Sequence, residues 1–251
     1  MAHHLTLCIS PMVRDIVMKS ISEAVGDLIK EDVRRNRLRT HNGNGGRIWD
    51  FLNTELCEGF NSPNCMAYIS QRGPWEMVLV YEQESKRLFT FMREARFATI
   101  RKEANKRRRM HYLDMLTRHL NKDLLAPVGQ LSLFENGFED QNDLNELVGR
   151  LLRDLQRDGV IIERHVLILF ESQNYQLTSI RAVMLDSNLD IVAEESWNNK
   201  IAANVSIIAD SVDNPQNPAN DPNHGLRFTS KAAARKKEKM RIKEKSSENA
   251  Q

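Results

Sequence analysis

The run His165-Val-Leu-Ile-Leu-Phe170 is the most apolar strand-like segment of the chain. A strand written this way belongs at the centre of a sheet, because an edge or a half-solvated strand alternates apolar with polar residues. Val160-Ile-Ile162 reads as the start of the same stretch. Shorter β-prone runs lie on both sides. Met66–Ile69, Trp75–Tyr81 and Leu88–Met92 are separated by Arg72-Gly-Pro74 and Glu84-Ser-Lys-Arg87, which predicts three antiparallel strands in a meander. Thr178–Leu185 and Leu189–Ala193 flank Asp186-Ser-Asn188, a hairpin signature. Gln130–Phe134 reads as a further short strand, and Val205–Ala209 as one that can join the sheet.

Helical periods occupy the rest. Ser10-Pro11 sets an N-cap followed by proline at the first helical position. Val13, Ile16, Val17, Ile21, Val25, Leu28 and Ile29 then form one stripe, so a long amphipathic helix is predicted from Pro11 to about Arg35. Arg34, Arg35, Arg37 and Arg39 end it, and cations at a helix C-terminus complement its dipole. Ile48, Leu52 and Leu56 predict a second helix over about 48–60, which Asn61-Ser-Pro63 stops. A third pattern runs from Arg93 to about Asn121, and a fourth over Asp143–Leu155 ends near Asp158-Gly159.

Helices and strands thus come in blocks with hairpin-joined strands. The fold class expected is α+β: a mainly antiparallel sheet of about five to seven strands, packed with three to five helices. Residues 1–212 are expected to form a single domain, with its helical part over about 1–62. A polar, proline-rich linker follows over 213–230, and then a basic tail over 231–251 that is disordered by itself.

At 41% hydrophobic and 28% charged residues, the composition excludes a chain disordered throughout. No apolar run approaches the roughly 20 residues that cross a bilayer. The opening Met-Ala-His-His-Leu-Thr-Leu-Cys8 lacks the basic and apolar parts of a secretory signal. Cys8, Cys57 and Cys65 are odd in number and widely spaced, as suits reduced thiols in a cytoplasmic protein.

The net charge of +2 hides an asymmetry. Arg93–Arg109 and Lys231–Lys245 each carry eight Lys/Arg against two Glu, or +6 apiece, which leaves the remaining chain at −10. Such blocks attract polyanions or acidic partners. Arg101, Lys102, Lys106, Arg107, Arg108 and Arg109 place six cations within nine residues, with Tyr112 nearby to stack on a base. A solvated helix face explains the same run equally well. In the tail, Arg235, Lys236, Lys237 and Lys239 are the corresponding candidates. Like charges at helical spacing repel there until an anionic surface neutralises them.

The chemical motifs are thinner. His41-Asn-Gly-Asn-Gly-Gly46 follows a helix instead of a strand, lacks Gly-Lys-Ser/Thr, and does not spell G-x-G-x-x-G. A helix-to-helix connector with left-handed glycines is the better reading. Glu84-Ser-Lys86 spells the Glu-x-Lys of a metal-dependent nuclease, with Asp50, Asp114 and Glu171 as further carboxylates, but it falls in an expected turn. No metal site and no cofactor is expected: cysteine and histidine spacings fit no zinc pattern.

"RIWDFLNTEL" (Arg47–Leu56), "RGPWEMVLVYEQESKRLFTFMREARF" (Arg72–Phe97) and "HYLD" (His111–Asp114) resemble a family of uncharacterised bacterial and prophage proteins. Its members share a Trp-Asp-x-x-Asn element, a strand pair, and then Met-Arg-Glu-x-Arg-Phe. The resemblance covers about half the chain and implies a mobile-element, toxin–antitoxin or defence setting more than a reaction. It singles out Arg47, Trp49, Asp50, Asn53, Trp75, Met92, Arg93, Glu94, Arg96, Phe97, His111 and Asp114. Packing of Trp49 on Trp75 and a buried ion pair from Asp50 to Arg93 or Arg96 are expected. Burying these polar groups without partners is costly, so Arg47, Asp50, Asn53, Arg93, Arg96 and His111 suggest a polar cleft between helix and sheet.

The leading expectation is a regulatory or accessory module that binds nucleic acid or an acidic protein partner through its basic segments. The alternatives are a metal-dependent nuclease or other phosphate-handling enzyme on Asp50, Glu84, Lys86 and Asp114, and a structural or assembly protein.

Overall fold

The computed structural model describes residues 7–104, 110–124 and 141–201. Of the expectations above, Gln130–Phe134, Lys106–Arg109, Val205–Ala209, the linker and the basic tail with Arg235, Lys236, Lys237 and Lys239 lie outside the described residues.

Ser10 caps the first helix by accepting from the Val13 N–H at 3.3 Å, and Pro11 occupies its first position. The helix runs as α1 (Pro11–Glu23), a π-helical turn (Ala24–Leu28) and α2 (Ile29–Arg35). Next come α3 (Asn44–Gly59), β1 (Asn61–Ser62), β2 (Cys65–Arg72), β3 (Trp75–Glu82) and β4 (Arg87–Arg93). Four helices follow: α4 (Glu94–Lys102), α5 (Tyr112–Leu120), α6 (Gln141–Leu151) and α7 (Arg153–Arg157). β5 (Arg164–Gln173), β6 (Gln176–Leu185) and β7 (Ile191–Ser196) complete a seven-stranded sheet in the order β1-β2-β3-β4-β5-β6-β7. The α+β class and the long N-terminal helix are as the sequence predicts.

β5 explains its own composition. Val166, Ile168 and Phe170 face a core built with α1–α3, while Leu167 and Leu169 face a second core built with α4–α7. Alternate residues of a strand point to opposite faces, so a strand covered on both sides must be apolar at every position. The one departure from antiparallel pairing is also here. β4 and β5 run parallel over Arg87↔Arg164 to Arg93↔Phe170, and the helices α4–α7 that lie between them in the chain cover the second face of the sheet.

Four local expectations are corrected. α3 begins at Asn44, ahead of Ile48, so Gly45 and Gly46 lie in its first turn and Gly43 has φ −82°. Among the described residues, the glycines with left-handed φ are Gly73, in the β2–β3 turn, and Gly159, after α7. The helix expected from Arg93 to Asn121 stops at Lys102 and restarts at Tyr112, since His111 is extended and caps the new helix. Val160–Ile162 is not strand; β5 starts at Arg164. The Asn174-Tyr175 turn, left-handed at both residues, joins β5 to β6 without any glycine to mark it in the sequence.

Candidate functional site

Pairing between β3 and β4 is confined to Val80↔Phe89, Tyr81↔Leu88 and Glu82↔Arg87. β2 and β3, by contrast, pair along their whole length from Cys65↔Glu82 to Arg72↔Trp75. The sheet therefore opens between β3 and β4 toward Trp75 and Arg93. A cavity of about 1180 Å³ occupies this region, lined by Met77 and Val78 from one strand and by Phe91, Met92 and Arg93 from the other. Its walls draw on both cores, Val78 and Phe91 from one and Met92 and Tyr112 from the other. An unbroken sheet would separate those two sets of side chains.

The α3 wall follows from helical spacing. Ile48, Leu52 and Leu56 bury one stripe in the core. The two neighbouring rows, Gly45/Trp49/Asn53/Cys57 and Gly46/Asp50/Thr54/Glu58, each advance by four residues and line the cavity. No atom lies within 4 Å of a Cβ built on Gly45 or Gly46, so their lack of a side chain keeps this end of the wall open. Trp49 meets Phe170 edge-on, at 5.7 Å between ring centroids. Trp75 also lines the cavity and is 64% exposed, so the expected Trp49–Trp75 packing gives way to Trp49 on Phe170.

Arg72, Arg93 and Arg96 line the cavity at the ends of β2 and β4 and on the first turn of α4. Among the described residues, none of the three has a carboxylate within ion-pair distance, and Arg93 Nη2 is buried with no hydrogen-bond acceptor. Other arginines are paired: Arg14 with Glu195 at 3.1 Å, Arg164 with Asp123 at 2.7 Å, and Arg181 with Glu94. The Arg72 guanidinium lies over the Tyr112 ring, 4.9 Å from its centroid.

His111 and Asp114 set the remaining corner. The Leu113 N–H donates to His111 Nδ1 at 3.2 Å, and the His111 N–H donates to Asp114 Oδ2 at 2.9 Å. That is a capping box with histidine in the N-cap role, and it fixes His111 at the cavity wall. The neighbouring Tyr112 is fully buried, which pushes its hydroxyl pKa up to about 12, opposed by Arg72 and Arg96 and by its hydrogen bond with Thr90. Thr90 Oγ1 is in turn 2.8 Å from His165 Nε2. A buried polar chain thus runs from the cavity wall into the sheet.

The structure therefore gathers Asp50, Asn53, Arg93, Arg96 and His111 at one cavity and leaves Arg47 out. Arg47 Nη1 instead pairs with Asp32 Oδ2 at 2.9 Å, which ties α3 to α2. The expected Asp50 ion pair is absent: Asp50 is exposed on its helix and bonds neither Arg93 nor Arg96. The nuclease set does not assemble. Glu84 and Lys86 lie in the β3–β4 turn, at the far end of β3 from Trp75 and roughly 23 Å away by strand rise. Lys86 Nζ pairs with Glu163 at 2.6 Å, and Asp114 serves as a cap. Glu171 is exposed on β5. No cluster of three His, Cys, Asp or Glu side chains able to hold a metal exists among the described residues. Of the basic run, Arg101 pairs with Asp190 and Lys102 is exposed at the end of α4.

Sequence reasoning passed over Arg72, Glu58, Glu76 and the Thr90–His165 pair. A histidine and a threonine inside otherwise apolar strands were the available signal for the last of these. Glu76 lies in the strand predicted over Trp75–Tyr81, while Arg72, expected in the turn, ends β2 and pairs with Trp75.

Residues 7–245 match a family described as a family of unknown function, DUF5986. The chain belongs to that family. The match extends well beyond the Arg47–Asp114 elements that suggested an uncharacterised family, and it includes every strand of the sheet. No curated protein and no solved structure matches the chain. No helix among the described residues is long and apolar enough to cross a membrane.

Proposed function

We propose that this DUF5986 chain is a nucleic-acid-binding module, with the opening between β3 and β4 as the place where a strand is held. The observation that carries the reading is Arg93. Its Nη2 is buried with no acceptor at the wall of a cavity that Arg72 and Arg96, which also lack carboxylate partners among the described residues, line as well. A buried charged donor left unbonded is expensive, and an anionic ligand oxygen removes that cost. Trp75 stands exposed at the same opening, where an aromatic face suits base stacking. Arg101 and Lys102 bring positive charge to the end of α4, and Lys106–Arg109 follow in the sequence as further cations that phosphates attract. A regulatory or defence role would use such a module for recognition. The nuclease alternative has no assembled ligand set behind it.

The test is anisotropy of labelled single-stranded DNA and RNA oligonucleotides with the full chain at 50 and 200 mM salt. Binding that weakens at least tenfold across that range, and is lost in Arg93→Gln/Arg96→Gln, is the expected result. Salt-independent binding, or full retention in the double variant, overturns the reading.

A further inference from the structure

The strands that part at the cavity share a register beyond the point where they separate. Val80↔Phe89, Tyr81↔Leu88 and Glu82↔Arg87 fix the β3–β4 hairpin. Carried past Val80, the same antiparallel register sets Leu79 opposite Thr90, Val78 opposite Phe91, Met77 opposite Met92 and Glu76 opposite Arg93. Successive residues alternate faces, so Glu76 and Arg93 share the α3 face with Val78, Phe91 and Phe170. The last three of these steps are complementary: valine meets phenylalanine, methionine meets methionine, and a carboxylate meets a guanidinium. Opposite charges on directly facing residues stabilise an antiparallel pair. The sequence therefore suits a longer hairpin than the one the structure pairs.

The backbone agrees. The Gln83 N–H donates to the Asn64 carbonyl at 2.9 Å, on the β2 side, and the Lys86 carbonyl accepts from the Glu163 N–H at 2.9 Å, on the β5 side. By the alternation of a strand, Glu76, Val78, Phe91 and Arg93 turn their N–H and C=O groups toward the opening, and the β3–β4 ladder does not use them. β2 stays paired to β3 along its whole length, so the two form one ribbon that can hinge at Val80↔Phe89. Its tip carries little core, since Gln71 to Glu76 are all exposed. Arg93 Nη2, buried with no acceptor, is the group that gains most when the ribbon swings in.

We infer that β3 and β4 zip into a closed form along this register, in which Glu76 takes the Arg93 guanidinium and the cavity between the strands is shut. The closure stands on register alone. Its effect on binding rests on the nucleic-acid reading, in which a phosphate oxygen and the Glu76 carboxylate compete for Arg93. Glu76 is then an internal competitor that sets affinity. Only the open fraction binds, so apparent affinity falls as the closed form gains population.

Met77 and Met92 face each other in the closed form as a non-hydrogen-bonded pair, with Cα atoms about 4.5 Å apart and within reach of a disulfide. The full chain carrying Met77→Cys/Met92→Cys is oxidised, and the bridge is located by peptide mass spectrometry. Anisotropy of a labelled single-stranded oligonucleotide is read before and after reduction. The bridge is expected to form, to abolish binding, and to restore it on reduction. Glu76→Gln is expected to tighten binding about threefold or more, and by more than Asp50→Asn, a wall carboxylate with no register to Arg93. No bridge between positions 77 and 92 overturns the closure, whatever the oligonucleotide does. A bridged protein that binds as tightly as the reduced one overturns the inference and leaves strand binding standing. A bridge in a chain that binds no oligonucleotide in either state supports the closure and overturns the nucleic-acid reading. If the cysteine pair fails to fold, denaturant unfolding of Glu76→Gln, Arg93→Gln and their double variant decides. Contact in the closed form makes the two losses non-additive, by roughly threefold in the unfolding constant, and additive losses overturn it.

Discussion

Thr90 Oγ1 on β4 lies 2.8 Å from His165 Nε2 on β5, with both residues wholly buried. Burial drives the His165 pKa down to about 3, and its Nδ1 has no partner. The imidazole is therefore neutral in the folded protein at any ordinary pH. Once unfolded, it titrates near 6.5 and takes up a proton that the folded state refuses. Above about pH 6.5 the two states bind equal numbers of protons at this site. Stability then falls as pH drops from 6.5 toward 3. Denaturant unfolding at pH 7.5 and pH 5 should differ by about 2 kcal/mol from this group, and His165→Leu should flatten the difference. A slope unchanged in that variant would assign the pH dependence elsewhere.

Asn121 closes the sheet where β5 and β6 stop pairing. Its Oδ1 accepts from the His165 N–H at 3.0 Å, and its Nδ2 donates to the His165 and Leu185 carbonyls, each at 2.9 Å. Asn121→Ala would strand three backbone groups, two of them on a histidine with no exposure. A loss of about 3 kcal/mol or more is expected from a urea titration, against about 1 kcal/mol for an exposed asparagine bond.

The glycines separate two roles. A Cβ on Gly59 would lie 2.5 Å from Ile16 Cγ2, where α1 and α3 meet, so Gly59→Ala should destabilise by about 1–3 kcal/mol. Gly45 and Gly46 are helical, with open space where a Cβ would go. Gly45→Ala and Gly46→Ala should each raise stability, by about 0.4–1 kcal/mol, through the unfolded chain. Thermal unfolding of the three variants gives the signs directly.

Trp75→Ala tests the stacking surface without disturbing a core. Its side chain is exposed, so the melting temperature should shift little. Loss of one base stack corresponds to about 1–3 kcal/mol, or roughly 5- to 150-fold weaker oligonucleotide binding. Affinity unchanged in this variant would remove Trp75 from the site.

Asp114→Ala separates a structural carboxylate from a catalytic one. Asp114 is buried and closes the capping box with the His111 N–H at 2.9 Å. Its removal should cost about 1–2 kcal/mol of stability. Glu84→Ala, in an exposed turn, should stay within about 0.5 kcal/mol of wild type. A divalent-metal-dependent cleavage activity abolished by both substitutions would instead revive the nuclease.

The sequence by itself determined what periodicity and turn chemistry can encode. The stripe from Val13 to Ile29 fixed the long helix, the apolar run at His165–Phe170 fixed the central strand, and Asp186-Ser-Asn188 fixed the last hairpin. Asp50, Asn53, Arg93, Arg96 and His111 were grouped through the family resemblance, and the cost of burying polar groups turned that grouping, with Arg47, into an expected cleft. What tertiary structure alone decided is pairing between segments distant in the chain. The parallel β4–β5 contact joins strands separated by α4–α7 in the chain, and no local pattern records that. The diversion of Arg47 to Asp32, the release of Asp50 from any ion pair and the parting of β3 from β4 all depend on which surfaces meet. Local spacing tells a side chain which face of its own element it lies on; only the packed molecule tells it what lies opposite.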